Sequence, residues 1–136
     1  MSRKMKVLAV DDNSISLATI EQELSDTYEV IPLNSGLRAL QYLRKERPDL
    51  ILLDIRMELI DGIATLQEIR NMERCKNIPV IMLTSMRDKN MVVESAMLGV
   101  EDYVVKPFNK TDLRERVDRV LKKSMQKTSD FLNGKE

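Results

Sequence analysis

Five short hydrophobic segments alternate along the chain with five segments of helical periodicity, and this alternation limits the possible folds more than any other feature. The predicted strands cover residues 5–10, 28–33, 50–54, 79–84 and 102–105, and the predicted helices cover residues 14–25, 36–46, 63–73, 88–98 and 110–125. Single helices between strands connect parallel strands through right-handed crossovers. The pattern therefore predicts an α/β protein with a doubly wound, five-stranded parallel sheet and five helices.

The apolar positions fit helices that pack on both faces of this sheet. Residues 50–53 are apolar at every position, as expected for a strand covered on both sides. The last helix has one apolar stripe, which runs from Leu113 to Leu121 at helical spacing. Residues that commonly cap helices stand where three of the helices begin, at Ser14, Ser35 and Asn109.

Length and composition indicate one soluble domain. The 136 residues carry 22 basic and 22 acidic side chains, so the formal net charge is zero. Net charge therefore does not favour binding to nucleic acid or to an anionic membrane. Apolar stretches are far shorter than a membrane span. Cys75 is the only cysteine and no export signal is visible, which predicts a cytoplasmic protein. We predict a folded domain over residues 1–123 and a polar C-terminal tail over residues 124–136 that frays.

Polar functional groups follow four of the five predicted strands. They are Asp11 and Asp12 after the first strand, Asp54 after the third, Thr84 after the fourth and Lys106 after the fifth. In an open parallel sheet, such groups meet outside the carboxyl ends of the strands. Two carboxylates about 4 Å apart repel by roughly 4 kcal/mol at an effective dielectric constant near 20. A cluster of three therefore needs a cation or bound protons, and a hard, oxygen-bound cation is predicted because the chain has no histidine.

These strand-end residues, with Asp61-Gly62 and the segment 101–108, resemble the receiver domain of two-component response regulators. The resemblance covers residues 5–123, which is nearly the whole chain. It implies a flavodoxin-like, CheY-like sheet with the strand order 2-1-3-4-5. In that order the first and third strands are neighbours, so their terminal carboxylates converge.

The resemblance also implies a role for each residue at the sheet edge. Asp54 would be the phosphoacceptor, and Lys106 would neutralise charge on the transferred phosphoryl group. Asp12 and Asp54 would bind Mg²⁺ directly, Asp11 would act through water, and the backbone carbonyl of Arg56 would be a further ligand. The expected protein is not an enzyme with an external substrate, although it would catalyse its own phosphorylation and dephosphorylation.

The resemblance further implies a switch and its partners. Thr84 would donate a hydrogen bond to the phosphoryl group, Tyr103 would swing inward with it, and the Lys106–Pro107 peptide would be cis. A histidine kinase or a histidine phosphotransfer protein would be the donor. The output would be a downstream protein or a homodimer, bound through the fourth helix, fifth strand and fifth helix. The expected exposed residues of that face are Lys89, Asn90, Glu94, Glu101, Asp102, Arg114 and Arg116.

The sequence departs from the family in the loop after Asp54. Met57-Glu58 replaces the frequent Met-Pro, which predicts a loop that is less stiff and more negative near the metal. The side chain of Arg56 could pair with Glu58 or reach the phosphate, and the sequence does not choose between these. Ser85 follows Thr84 where the family usually has Ala or Gly, and it is small enough to preserve access to Asp54.

Three other interpretations stay open at this stage. The chain could be the receiver part of a longer regulator whose effector domain is absent. It could be an Mg²⁺-dependent phosphatase with an aspartyl nucleophile, although Asp11-Asp12-Asn13-Ser14 lacks the Asp-x-Asp-x-Thr pattern of those enzymes. It could also be a scaffold without chemistry, which the intact edge residues disfavour. Direct DNA binding is the least favoured function, because the basic residues are dispersed. The cognate kinase, target, phosphoryl lifetime and oligomeric state are not encoded in any recognisable pattern.

Overall fold

The five hydrophobic segments form five parallel strands of one sheet in the computed structural model, which describes residues 3–85 and 88–134. The strands are β1 (Lys6–Val10), β2 (Glu29–Leu33), β3 (Leu50–Asp54), β4 (Val80–Thr84) and β5 (Asp102–Val105). The helices are α1 (Ser14–Leu24), α2 (Gly36–Leu43), α3 (Gly62–Asn71), α4 (Lys89–Ala96) and α5 (Lys110–Leu132). The strand order is β2-β1-β3-β4-β5, which confirms the predicted fold class and order.

Two hydrophobic cores lie on opposite faces of the sheet, because successive side chains of a strand point to opposite sides. β3 and β4 are buried at every residue. On one face Leu50 and Leu52 belong to a core that includes buried residues of α1 and α5. On the other face Ile51 and Leu53 belong to a core that includes buried residues of α2 and α3. Burial on both faces explains why these strands are continuously apolar rather than alternating.

The sheet reverses its direction of winding between β1 and β3, and this point positions the acidic residues. The chain leaves β1 toward β2 on one side, whereas β3, β4 and β5 follow on the other side. Val10 pairs with Leu53, so Asp11 and Asp54 occupy adjacent positions at the carboxyl ends of neighbouring strands. This is the crevice in which open α/β sheets bind ligands.

Local capping explains where three helices begin. The side chain of Ser35 accepts a hydrogen bond from the backbone of Arg38 at 3.1 Å, and Asn109 accepts one from Asp112 at 3.1 Å, which confirms both as caps. The prediction of Ser14 as the cap of α1 is wrong. Asn13 holds that position, because its side-chain oxygen reaches the backbone N–H of Ser16 at 3.0 Å.

Helix α5 is longer than predicted, since it continues to Leu132 rather than ending at residue 125. A hydrogen bond of 2.9 Å between Gln126 and Asp130 lies along its exposed side, at the i, i+4 spacing that stabilises helices. Gly134 follows with a positive φ of 75°, a common way to end a helix. The polar composition of this segment therefore does not prevent helix formation, and the domain boundary at residue 123 stays a prediction.

The guanidinium group of Arg70 joins the end of α3 to two loops. It donates to the carbonyls of Leu98 and Gly99, at 3.0 and 2.6 Å, after the end of α4. It also donates to the carbonyls of Lys76 and Ile78, both at 3.0 Å, before β4. Burial lowers the pKa of Arg70. Arg70 therefore joins the segment that follows α4 to the loop that precedes β4.

The face formed by α4, β5 and α5 differs from its prediction at Arg114. Arg116 does lie there, with its guanidinium 2.7 Å from Asp102 and 2.8 Å from Asp112. Arg114 instead pairs with Asp26 and binds the hydroxyl of Thr27 at 2.9 Å, beyond the end of α1, so it ties α5 to that helix.

Among the described helices, none has both the length and the apolar character of a membrane-spanning segment.

Candidate functional site

The carboxyl ends of four strands bring the predicted site residues to one edge of the sheet. Asp11 and Asp12 follow β1, Asp54 ends β3, Thr84 ends β4 and Lys106 follows β5. Thr84 pairs in register with Val105, which puts Lys106 at the end of the strand beside β4. The peptide between Lys106 and Pro107 is cis, which confirms that part of the resemblance.

Three carboxylates form an acidic cluster at the point where β1 and β3 meet. One oxygen from each of Asp11, Asp12 and Asp54 lies within 4.8 Å of the others. Asp11 is fully buried and Asp54 is 6% exposed, whereas Asp12 is exposed to solvent. Negative charges in such a cluster repel strongly, because burial removes the water that would screen them.

Lys106 is the counter-charge of this cluster. Its ammonium nitrogen lies 2.5 Å from Oδ2 of Asp11 and 3.4 Å from Oδ1 of Asp54. The side chain is about one quarter exposed, so the ammonium group sits at the boundary between the buried carboxylates and solvent. One positive charge beside two buried carboxylates leaves a net negative site.

The surroundings of the Asp54 carboxyl group raise its proton affinity. Burial and the nearby charge of Asp11 raise the pKa of Asp54 to about 7, although Lys106 acts in the opposite direction. Ionisation of Asp54 therefore costs more free energy than in water, and added positive charge at the site would lower that cost.

The donor set of the cluster fits a hard divalent cation. It offers three carboxylates and no sulfur or imidazole, which suits Mg²⁺ or Ca²⁺ rather than zinc. Apart from its ion pair with Lys106, the buried Oδ2 of Asp11 accepts no hydrogen bond from any part of the chain that the structure describes. A lone pair is thus available within a negative pocket, as a cation site requires. The backbone carbonyl of Arg56 as a ligand stays a prediction.

The loop between β3 and α3 is held to the cluster by a bond that the usual proline could not form. The backbone N–H of Glu58 donates to Oδ2 of Asp12 at 3.1 Å, while the Glu58 side chain is exposed. Proline has no N–H, so the departure from Met-Pro supplies a contact to Asp12. Asp61 then caps α3 through the backbone N–H of Ala64 at 2.8 Å.

Gly62 lets the start of α3 lie directly against the end of β3. Its N–H donates to the carbonyl of Ile55 at 2.8 Å. A Cβ at this position would lie 2.1 Å from the carbonyl oxygen of Asp54 and 2.8 Å from the Cα of Ile55. Both are backbone atoms that cannot rotate away, so residue 62 sets the position of the Asp54 backbone.

We expect Gly62→Ala to destabilise the protein by about 2–4 kcal/mol, since overpacking against backbone requires the chain to shift. Urea unfolding followed by circular dichroism measures this. Gly36→Ala is the comparison, because a Cβ there meets side-chain atoms of Thr65 and Ile60 at 2.2 and 3.0 Å, and the nearest of the backbone atoms it meets, the Ile60 carbonyl oxygen, is 3.3 Å away rather than 2.1 Å. A smaller loss of stability for Gly62→Ala than for Gly36→Ala would contradict this explanation.

Thr84 and Tyr103, the two predicted switch residues, both contact the region of α4. The Thr84 hydroxyl donates to the carbonyl of Ser85 at 3.1 Å and lies 3.4 Å from Oδ2 of Asp88. The Tyr103 hydroxyl donates to the carbonyl of Val92 at 3.1 Å. It also lies 3.1 Å from the hydroxyl of Ser95.

Arg56 pairs with Asp88, so the predicted pairing with Glu58 is wrong, whereas contact of Arg56 with a phosphoryl group stays a prediction. Its guanidinium Nε contacts Oδ1 of Asp88, whose side chain is 3% exposed. Burial acts to raise the pKa of Asp88, but hydrogen bonds from Arg56 and Ser85 outweigh it and hold that pKa below the usual value. The sequence reasoning assigned no role to Asp88. The available signal was an acidic residue just after β4 and a basic residue just after β3.

Comparisons with known proteins agree with this geometry. Residues 7–118 match the sequence profile of the response regulator receiver domain. A probable transcriptional regulator, ycf27, of Galdieria sulphuraria is 40% identical over 124 residues, which are 90% of this chain and 48% of that protein. The chain spans about half the length of such relatives. The chemotaxis protein CheY-3 of Vibrio cholerae is 34% identical, and the match covers 90% of this chain and 96% of that protein.

Solved structures resemble most of the described fold. The chemotaxis protein CheY4 of Vibrio cholerae has a TM-score of 0.81 at 32% identity, over 87% of this chain and 99% of that one. The receiver domain of the sensor histidine kinase PA1611 from Pseudomonas aeruginosa has a TM-score of 0.80 at 29% identity, over 88% and 98%. The latter structure contains a magnesium ion coordinated in the active site cleft.

Proposed function

The chain belongs to the response regulator receiver domains of two-component systems, and on this premise we propose that it is a phosphoacceptor module in which Asp54 takes up a phosphoryl group. The observation that carries the proposal is the environment of Asp54. Its buried carboxylate lies within reach of Asp11, Asp12 and Lys106, and no other described carboxylates form such a cluster.

In the proposed reaction, a carboxylate oxygen of Asp54 forms a bond to phosphorus while the bond between phosphorus and the donor atom breaks. The product is an acyl phosphate, and the donor keeps the electron pair of the broken bond. Lys106 balances negative charge on the phosphoryl oxygens, because its ammonium already lies 3.4 Å from Oδ1 of Asp54. The chain contributes mainly position and charge to such a transfer.

Asp11, Asp12 and Asp54 are the residues proposed to hold Mg²⁺, with the Arg56 carbonyl as a further ligand. When bound, Mg²⁺ would supply positive charge to the carboxylates and to the transferred oxygens. This proposal is supported by the oxygen-only donor set and by the buried oxygen of Asp11. Ionisation of Asp54, which its raised pKa opposes, then becomes favourable.

We further propose that Thr84 moves toward the phosphoryl group to donate a hydrogen bond to it, and that the Tyr103 side chain swings inward when Thr84 moves. Phosphorylation adds about −1.5 to −2 charges at the sheet edge. The two hydroxyls are held by Ser85 and Val92, near the start and middle of α4, so both residues link the acceptor region to that helix. The output surface is accordingly formed by α4, β5 and α5.

The proposed partners are a histidine kinase or histidine phosphotransfer protein as donor, and a downstream protein or second copy as target. The relatives called probable transcriptional regulators are about twice as long as this chain. Their length supports a second proposal, in which this receiver domain is part of a longer regulator. There the same receiver would control a DNA-binding effector carried elsewhere in a longer protein. In both contexts we propose a cytoplasmic module that regulates its own phosphorylation but has no external substrate.

Incubation with Mg²⁺ and a small acyl phosphate, followed by intact mass and peptide mapping, tests the proposal. We expect one labile phosphoryl group on Asp54, dependent on Mg²⁺. Borohydride reduction before digestion marks the acyl phosphate at that residue. Label on a hydroxyl, or no label, would contradict the proposal, and turnover of many phosphoesters per protein would favour the phosphatase alternative.

A further inference from the structure

Asp88 occupies the N-cap position of α4 but does not cap it. Aspartate at this position usually accepts a hydrogen bond from a backbone N–H of the first turn. Asn13, Ser35, Asp61 and Asn109 all do so at their own helices. Within the described residues of α4, the Asp88 side chain accepts no such bond. A buried carboxylate in a capping position that leaves the helix uncapped has another role.

The carboxylate of Asp88 faces the end of β4 instead. Its Oδ2 accepts a hydrogen bond from the backbone N–H of Ser85 and another from the Ser85 hydroxyl, each at 2.9 Å. The Thr84 hydroxyl lies 3.4 Å from the same oxygen. Oδ1 pairs with Arg56, which comes from the loop after β3. One buried carboxylate therefore joins the start of α4, the end of β4 and the loop that follows the phosphoacceptor.

We propose that Asp88 is a positioning residue that holds Thr84 and the Ser85 N–H in their resting orientation and competes for them with a phosphoryl group on Asp54. The inference rests on the proposed function, because it assigns a competitor to the same switch. Arg56 neutralises Asp88 and keeps it ionised in a position with almost no contact with solvent. The four residues Arg56, Thr84, Ser85 and Asp88 together form a latch.

The competition follows from the number of donors. A threonine hydroxyl has one proton and a backbone amide has one proton, so each can make one strong hydrogen bond at a time. Hydrogen bonds to a charged acceptor are stronger than neutral ones. In the resting structure the amide proton of Ser85 is donated to Asp88 at 2.9 Å, whereas the Thr84 proton is shared between the Ser85 carbonyl at 3.1 Å and Asp88 at 3.4 Å. A phosphoryl group on Asp54 must draw both donors away from these acceptors, so the latch lowers the population of the state that binds a phosphoryl group.

Removal of the latch should tighten the binding of a phosphoryl mimic. We expect Asp88→Ala to bind beryllofluoride, in the presence of Mg²⁺, about five- to tenfold more tightly than the parent, the size expected for release of a hydrogen bond to a charged acceptor. The gain should be smaller in a Thr84→Val background, where only the Ser85 N–H is released. An equal gain in both backgrounds, or no gain in the parent background, would overturn the role assigned to Asp88.

A measurement without any metal or phosphoryl mimic gives an independent readout. In the metal-free protein, the amide proton of Ser85 should shift upfield in Asp88→Ala, because it loses a carboxylate acceptor. Asp88→Glu should restore part of the shift, which a merely structural loss would not allow. An unchanged Ser85 resonance in Asp88→Ala would overturn the contact on which the proposal depends.

Ser35→Ala is the matched control, since it removes a true helix cap at α2, away from the latch. It should lower the melting temperature and leave beryllofluoride affinity unchanged. If Asp88→Ala does not fold, Asp88→Asn carries the test, with a smaller gain expected because the amide oxygen still accepts from Ser85. A parent protein that binds no beryllofluoride would count against the proposed function itself, whereas a parent that binds it without any effect at Asp88 would count against the latch alone.

Discussion

Asp54→Asn should be more stable than the parent protein in the absence of metal at pH 8, although it accepts no phosphoryl group. The parent must hold an ionised Asp54 in a buried position next to Asp11, and burial together with that charge raises the pKa of Asp54 from 3.8 to about 7. An amide of nearly the same shape removes the charge and keeps the packing. The expected gain is on the order of 2–4 kcal/mol, because one pKa unit corresponds to about 1.4 kcal/mol.

The pH dependence has a definite sign. A pKa that is higher in the folded state means that the folded protein binds this proton more tightly than the unfolded chain does. The contribution of Asp54 to stability is then fully present below about pH 4 and is lost as the pH rises through 7. The stability difference between Asp54→Asn and the parent should therefore increase from pH 4 to 7 and stay constant above that range.

Urea unfolding at several pH values in the presence of a chelator measures this difference. Addition of Mg²⁺ at pH 8 should then stabilise the parent more than Asp54→Asn, because binding to the folded state raises its stability. Asp49→Asn is a control, since Asp49 lies just before β3, at the opposite end of that strand from Asp54, and accepts a hydrogen bond from the backbone N–H of Lys6 at 2.7 Å. A parent protein that is as stable as Asp54→Asn at pH 8 would contradict the buried negative cluster.

Lys106→Met should lower the rate of Mg²⁺-dependent phosphorylation by about 10²–10³-fold. Removal of one donor that stabilises developing negative charge has effects of this size in enzymes. Methionine keeps the approximate length of the side chain, so the loss isolates the ammonium group that lies 2.5 Å from Asp11 and 3.4 Å from Asp54. Initial rates of labelling with a small acyl phosphate, at saturating Mg²⁺, give the comparison.

Lys106→Arg is the control that keeps a positive charge at this position, and we expect it to retain more activity than Lys106→Met. Circular dichroism at saturating Mg²⁺ establishes that each variant is folded. If Lys106→Met were labelled as fast as the parent, the ammonium group would have no part in transfer. Its contact with Asp54 would then serve only to balance charge in the metal-free protein.

The strands and the acidic edge could be predicted because both depend on local sequence and on a general rule of α/β sheets. Continuous apolar segments defined β3 and β4, and the carboxyl ends of parallel strands then brought Asp11 and Asp54 together. The final turns of α5 were missed because their stability does not come from an apolar stripe. These turns carry i, i+4 contacts such as the hydrogen bond between Gln126 and Asp130, and Gly134 follows the end of the helix with a positive φ.

The latch could not be predicted for a different reason. Asp88 at the start of a helix fits the common role of a cap, and only the three-dimensional direction of its side chain shows that it binds Ser85. The contact between Arg56 and Asp88 joins residues 32 positions apart whose helical or loop surroundings do not fix their orientation. The bond from Glu58 to Asp12 likewise depends on the path of a loop.

Two of the four bonds of Arg70 make the C-terminal end of α4 the fixed end of that helix. Its C-terminal end is fixed by the bonds from Arg70 to the carbonyls of Leu98 and Gly99, whereas Asp88, just before its first turn, is held by Arg56 and Ser85. The helix is eight residues long, or about 12 Å, so a small rotation about the fixed end moves its first turn most. A change in the hydrogen bonds of Thr84 would therefore act on the first turn of α4, which lies at the end of the helix away from Arg70.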